Sequence, residues 1–180
     1  MHRSGHWGMA LLFYSPVVSG ALTADTTTLP LVIAGVVLTS SLCMLPDIDQ
    51  NLPLVKHRGI THTIWFALLV GVTLGGGAFV VTQGAGQSVF GQWIQGETLL
   101  GSPLAVTVGW FFGVTGVLVV VSHLAGDWLT KMGIRPWSPV STHKHRLGIT
   151  SADSLIANSV LYLLGAGTAL ASFAVGTGVL

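Results

Sequence analysis

Residues 104–127 read LAVTVGWFFGVTGVLVVVSHLAGD, and the fold class follows from them. Leu104 to Ala125 is apolar, small or hydroxylic on every side, apart from His123 near its end. A helix crosses a bilayer with roughly 20 mostly apolar residues, whereas a half-buried strand alternates apolar with polar, which this run does not. The run closes on His123 and Asp127, four residues apart and so on one helix face. The chain thus carries an imidazole and a carboxylate where a spanning helix reaches the membrane surface.

Four further apolar runs flank this one. Ile64 to Thr82 and Leu155 to Leu180 have full spanning length. Met9 to Ala24 is shorter and holds Pro16, which should kink it; Leu31 to Leu45 is halted by Pro46 and Asp47. The expected architecture is an all-α polytopic membrane protein, about five transmembrane helices in one domain covering residues 1–180. Composition agrees, since 7% charged residues fall far below the roughly 25% of soluble domains. The 24 glycines suit closely packed membrane helices, at spacings such as Gly71–Gly75, Gly109–Gly113 and Gly165–Ala169. A net charge of +1 argues against nucleic acid as a partner. Cys43, alone in an apolar run, forms no intramolecular disulfide and reads as a small buried hydrophobe. The first span also admits a signal-peptide reading, against which Pro16 and the poor Leu22/Ala24 cleavage pair both speak.

Alternation of five spans sends Arg3, Lys56, Arg58, Lys131, Arg135, Lys144 and Arg146 to one face, and Asp25 and Glu97 to the other. Basic residues favour the cytoplasmic side, so the amino terminus is expected in the cytoplasm and the protein in the inner (cytoplasmic) membrane. Phe90 and Trp93 in the opposite loop, and Trp128 and Trp137 on the basic face, are expected at headgroup level.

The histidines and the remaining carboxylates gather on that basic face. His123 and Asp127 could be a hydrogen-bonded helix end or two metal ligands. His2 and His6 repeat the spacing, with His6 the better ligand candidate. Asp47 and Asp49 follow Pro46, where a helix stop needs one carboxylate but not two. His57, Arg58, Gly59, Ile60, Thr61 and His62 lead into the third span; Thr61 could cap it, and Arg58 could pair with an Asp of the preceding turn. An arginine beside metal-bound histidines suits an anionic oxygen group, because its planar fork pairs with two oxygens. His143, Lys144, His145 and Arg146 fit a solvated loop as well as a functional role.

These motifs carry a family resemblance over almost the whole chain: Leu45-Pro-Asp-Ile-Asp49, His57-Arg-Gly-Ile-Thr-His62, His123-Leu-Ala-Gly-Asp127, then Thr130, Gly133 and Pro136-Trp-Ser-Pro139. The chain resembles the membrane-bound, predicted metal-dependent hydrolases whose founding members are LexA-regulated inner-membrane proteins, the YdjM-like group. That group is in turn similar to the helical zinc phospholipase C and P1 nuclease enzymes, whose ligand order is an early His, an Asp, a His and an His-x-x-x-Asp pair. The resemblance implies His6, Asp47 or Asp49, His57 or His62, His123 and Asp127 in those places. A late His-x-x-x-Glu pair is missing, and Glu97 is the single Glu in the chain, so one or two metals are expected rather than three.

The expected site therefore has His6, Asp49, His57, His62, His123 and Asp127 as ligands of one or two divalent ions, zinc by donor type. Asp47 is the candidate general base or further ligand, and Arg58 the phosphate clamp. The substrate expected from this location is a phosphoester of a lipid or amphiphile. The rival readings are a metal transporter, which should carry polar residues through the spans, and a non-catalytic metal-binding membrane protein.

Overall fold

A computed structural model describes residues 1–51, 58–86 and 97–180; His57, Lys56, Phe90 and Trp93 lie outside the described residues. Five helices carry the fold: α1 Arg3–Ala24, α2 Leu29–Leu42, α3 Ile64–Gly86, α4 Leu104–Leu129 and α5 Leu155–Gly176. With the turns that flank α2, all five are long and apolar enough to cross a membrane. Helix ends differ from the sequence expectation in two places. α1 begins at Arg3 rather than near Met9, and α2 stops at Leu42, ahead of Pro46, with a 3₁₀ turn Leu45–Asn51 taking over. α1 continues through Pro16 without a break in helical structure.

Local chemistry sets the boundaries. Between α1 and α2, the Asp25 carboxylate accepts from the Thr27 backbone N–H at 2.9 Å, and that bond holds its carboxyl below the usual range. Pro30 sits in the first turn of α2, where its missing N–H costs nothing. Thr63, not Thr61, caps α3: its Oγ1 accepts from Phe66 N–H at 3.2 Å. Ser154 caps α5 through Ala157 N–H at 3.3 Å. A small hairpin, β1 Thr98–Leu99 with β2 Ser102–Pro103, precedes α4 and turns through Leu100 and Gly101 at positive φ.

Packing is dictated by small residues. A Cβ added at Gly75 would lie 2.7 Å from Gly109 O and 2.9 Å from Gly113 Cα, so α3 and α4 touch backbone to backbone. Likewise a Cβ at Gly165 would collide with the Gly8 carbonyl, which joins α5 to α1. In a bilayer, where lipid tails are as apolar as leucine, such close approach supplies the van der Waals contact that replaces the hydrophobic drive. Tyr14, Val18, Leu22 and Val32 pack with Phe111 and Leu118, binding α1 and α2 to α4. Ala67 and Val70 pack with Val120, Leu124 and Ile134 between α3 and α4. Side chains such as Val72 and Val81 of α3 and Leu163 and Leu170 of α5 face outward, as a lipid-covered surface requires.

The consequence for function is positional. The start of α1, the turn after α2, the turn before α3 and the end of α4 all meet at one end of the bundle, while Asp25 and the hairpin lie at the other.

Candidate metal centre

His6 stands one turn into α1 and is fully buried. Gly126 of α4 leaves room for it: a Cβ there would lie 3.2 Å from His6 Nδ1. The His6 ring stacks on His123, centroids 3.7 Å apart and planes within 3°. His62 meets His123 edge-on at 5.2 Å. Three imidazoles thus share one pocket with Asp47, Asp49 and Asp127.

The carboxylates face the ring nitrogens at a consistent spacing. Asp47 Oδ1 lies 3.3 Å from His62 Nε2 and 3.5 Å from His123 Nε2. Asp127 Oδ1 lies 3.6 Å from His6 Nε2, and Asp127 Oδ2 lies 3.6 Å from His62 Nε2. Good N–H···O bonds are shorter, near 2.9 Å. Two donors each about 2.0–2.1 Å from a tetrahedral zinc stand about 3.3–3.4 Å apart, which is the spacing these pairs approach. Three overlapping groups can each enclose an ion: His6, Asp47 and His123; His62, His123 and Asp127; Asp47, Asp49 and His62.

Outer contacts orient the rings. His123 Nδ1 is 2.8 Å from Cys43 O, a carbonyl that can only accept, so Nδ1 carries the proton and Nε2 presents its lone pair to Asp47. The Thr61 hydroxyl donates to Asp49 Oδ2 at 2.7 Å. Its oxygen is then free to accept from His62 Nδ1 at 3.1 Å, which turns the His62 Nε2 toward Asp47. Both ring nitrogens of His6 and the Nε2 of His123 are buried without a hydrogen-bond partner among the described residues. Burying such groups unpaired is costly, and a cation between them removes the cost. The donor set, imidazole and carboxylate, fits zinc.

Arg58 is one of two cations on Asp127. Its guanidinium lies 2.8 Å from Asp127 Oδ2 and donates to Gly133 O at 3.1 Å, while its backbone N–H donates to Asp49 Oδ2 at 2.9 Å. Its φ of 60° is in the left-handed region, a strain that non-glycine residues hold where the surroundings compel it. The expectation that Arg58 pairs with the preceding turn is met only by its backbone; the charged head reaches α4. The Met1 ammonium lies 2.9 Å from the other oxygen, Asp127 Oδ1. Asp47 keeps 12% of its side chain exposed, whereas the Asp127 side chain is 1% exposed, so approach from solvent passes Asp47.

The structure therefore brings together His6, Asp47, Asp49, Arg58, His62, His123 and Asp127. His57 lies outside the described residues. His2 is exposed and contributes its backbone N–H to Asn158 Oδ1 at 3.1 Å. His143 and His145 pack on each other, centroids 4.8 Å apart, in the segment between α4 and α5 and outside the three groups. Thr61 and Asn158 were not singled out by sequence as positioning residues. The Asn158 side chain joins α5 to the amino terminus, and also donates to Ala152 O and Ser154 O.

A family model described as YdjM inner membrane protein matches residues 1–179. Among curated proteins and solved structures, nothing matches the chain.

Proposed function

The chain belongs to the YdjM inner membrane protein family, and on that premise we propose that it is a membrane-bound metal-dependent hydrolase acting on a phosphoester of a lipid or amphiphile. The observation that carries the reading is the buried cluster of three imidazoles and three carboxylates whose ring nitrogens lie 3.3–3.6 Å from carboxylate oxygens. His6, His62, His123 and Asp127 would hold one or two ions, zinc by donor type, with Asp47 either a further ligand or the general base. Asp49 fixes Arg58 and Thr61, and through Thr61 the His62 ring. A divalent metal held there supplies Lewis acidity and a water that ionises near neutral pH.

The chain's own groups do the rest. Arg58 already bridges toward Asp127 and is placed to take two oxygens of a phosphate. Asp47, the most exposed of the three carboxylates, is placed to accept a proton from an incoming water. A groove of about 630 Å³ between α3 and α4, lined by residues such as Leu68, Val72, Phe79, Trp110 and Val117, is apolar along its length. It lies on α4, which carries His123, and on α3, which His62 precedes by two residues, and this supports a substrate with an acyl chain.

The orientation with a cytoplasmic amino terminus belongs to the same proposal and is supported by the six basic residues among the described ones, all toward the cluster's end of the spans. Kinship with zinc phospholipase C and P1 nuclease is an implication of the sequence resemblance, supported by the order His6, Asp47, His62, His123, Asp127. The test is metal analysis of detergent-purified protein beside an Asp47→Asn variant, with hydrolysis of lipid phosphoesters read in parallel. Stoichiometric metal with turnover, both reduced in the variant, supports the proposal. Metal without turnover leaves a structural tie between helix ends, and protein without metal sinks the site.

A further inference from the structure

The segment after α4 is long for a connection and is not loose. Ile134 and His145 exchange backbone hydrogen bonds at 2.9 and 2.8 Å, Lys131 N–H donates to Thr150 O at 3.0 Å, and Leu147 N–H donates to Trp128 O at 2.9 Å. Two limbs are thereby held side by side. Gly133, at φ 65°, allows the limbs to touch, since a Cβ there would lie 2.5 Å from His145 O. The outer end is tied to the bundle by Ile64 N–H on Pro136 O at 2.9 Å.

What this strap displays does not suit water alone. Met132, Trp137, Val140, Leu147 and Ile149 are exposed, Val140 by 79% and Ile149 by 74%. Interleaved with them are Lys131, Arg135, Lys144 and Arg146, all exposed. Residues 128–152 contain no Asp or Glu. The first acid beyond, Asp153, is held below the usual carboxylate range by its Ser151 hydrogen bond first, with Lys131 a weaker contributor. Four cations without carboxylates, set among bare apolar side chains at the end of a membrane bundle, complement a surface that is apolar below and anionic above.

We propose that the strap of residues 128–150 is a docking surface for anionic phospholipid headgroups, with Trp137, Val140 and Ile149 seated at the acyl boundary and the four basic side chains on lipid phosphates. The surface uses none of the cluster's His or Asp side chains and does not depend on hydrolysis, although Gly133 O of the strap holds Arg58.

The experiment uses the full chain reconstituted in phosphatidylcholine vesicles, with spin-labelled phosphatidylglycerol or spin-labelled phosphatidylcholine as the probe. The motionally restricted fraction of each label gives their relative association. Each basic residue near an anionic surface is worth about 1 kcal/mol, about fivefold in association. Wild type should prefer phosphatidylglycerol, Lys144→Gln alone should lower the preference severalfold, and Lys131→Gln, Arg135→Gln, Lys144→Gln and Arg146→Gln together should abolish it. High salt should also abolish it in the wild type. Equal association of the two lipids in the wild type, as for a strap facing water or an acidic protein, overturns the proposal. So does a preference that survives the quadruple substitution or, should that variant not fold, one unchanged in Lys144→Gln and by salt.

Discussion

Replacing Thr61 by Val removes one hydroxyl from a side chain that is 6% exposed and leaves its volume nearly unchanged. The hydroxyl donates to Asp49 Oδ2 at 2.7 Å and accepts a hydrogen bond from His62 Nδ1 at 3.1 Å. Hydrogen bonds to charged groups contribute about 1.5–3 kcal/mol; Asp49 Oδ2 keeps the Arg58 N–H, so the loss should fall near 2 kcal/mol. If that energy orients the His62 ring for a metal, about 2 kcal/mol is about 30-fold in metal affinity, inside the 10–100-fold range of outer-shell partners. The assay is zinc titration against a competing chelator on the purified protein, with thermal unfolding read alongside. Thr61→Ser should restore the affinity. Thr63→Val is the control: also buried and two residues away, the Thr63 hydroxyl bonds Ile60 O and Phe66 N–H and no cluster residue among those described. It should cost about 1 kcal/mol as a lost helix cap and leave metal affinity unchanged. Equal metal affinities for Thr61→Val and Thr63→Val would refute the positioning argument, whatever their stabilities.

Three further outcomes follow from the geometry. Gly165→Ala should destabilise by about 1–3 kcal/mol, because its Cβ meets the Gly8 backbone, whereas Gly77→Ala, with open space around it, should leave the unfolding midpoint in place. Protein kept at a metal concentration 100 times Kd should lose about 2.7 kcal/mol, roughly 5–10 °C in midpoint, when chelated; Asp127→Asn should show no metal-dependent shift. Single cysteines report orientation, since the native Cys43 is buried: an impermeant maleimide on intact cells should label Thr26→Cys and spare Thr142→Cys, and the reverse pattern would invert the assignment.

Local chemistry was readable from the chain, and long-range chemistry was not. The spans could be read because a bilayer imposes length and apolarity on consecutive residues. α1 was read short because its first turn, Arg3 to Trp7, is polar; those residues are helical because His6 is buried against α4 and Arg3 lies over the Trp7 ring. His123 and Asp127 declared themselves by helical spacing. Equal spacing left His2 and His6 alike in pattern, and burial separates them: His2 is exposed while His6 is buried. Arg58 showed an attractive partner nine residues back in Asp49, and no pattern along the chain marks that its guanidinium reaches Asp127. Thr61 looked like a cap because hydroxyls before helices usually are, and its bond to Asp49 spans a turn outside any regular element. Asn158 had no signal, since its contact with His2 crosses 156 positions.

Those separations bear on how the protein is made. Met1 and Asp127 touch although 126 positions divide them, and His123 and Cys43 are 80 apart. A chain entering the membrane from its amino terminus therefore holds His6, Asp47 and Asp49 for the whole interval before α4 arrives to face them. During that interval they are ionisable groups without their final company near lipid, the condition most open to proteolysis and misassembly. The end of α4 thus acts as the clasp of the polar end: a nascent chain stopped before residue 123 has the glycine contact of α3 with α4, but neither the Gly8–Gly165 contact with α5 nor a closed cluster.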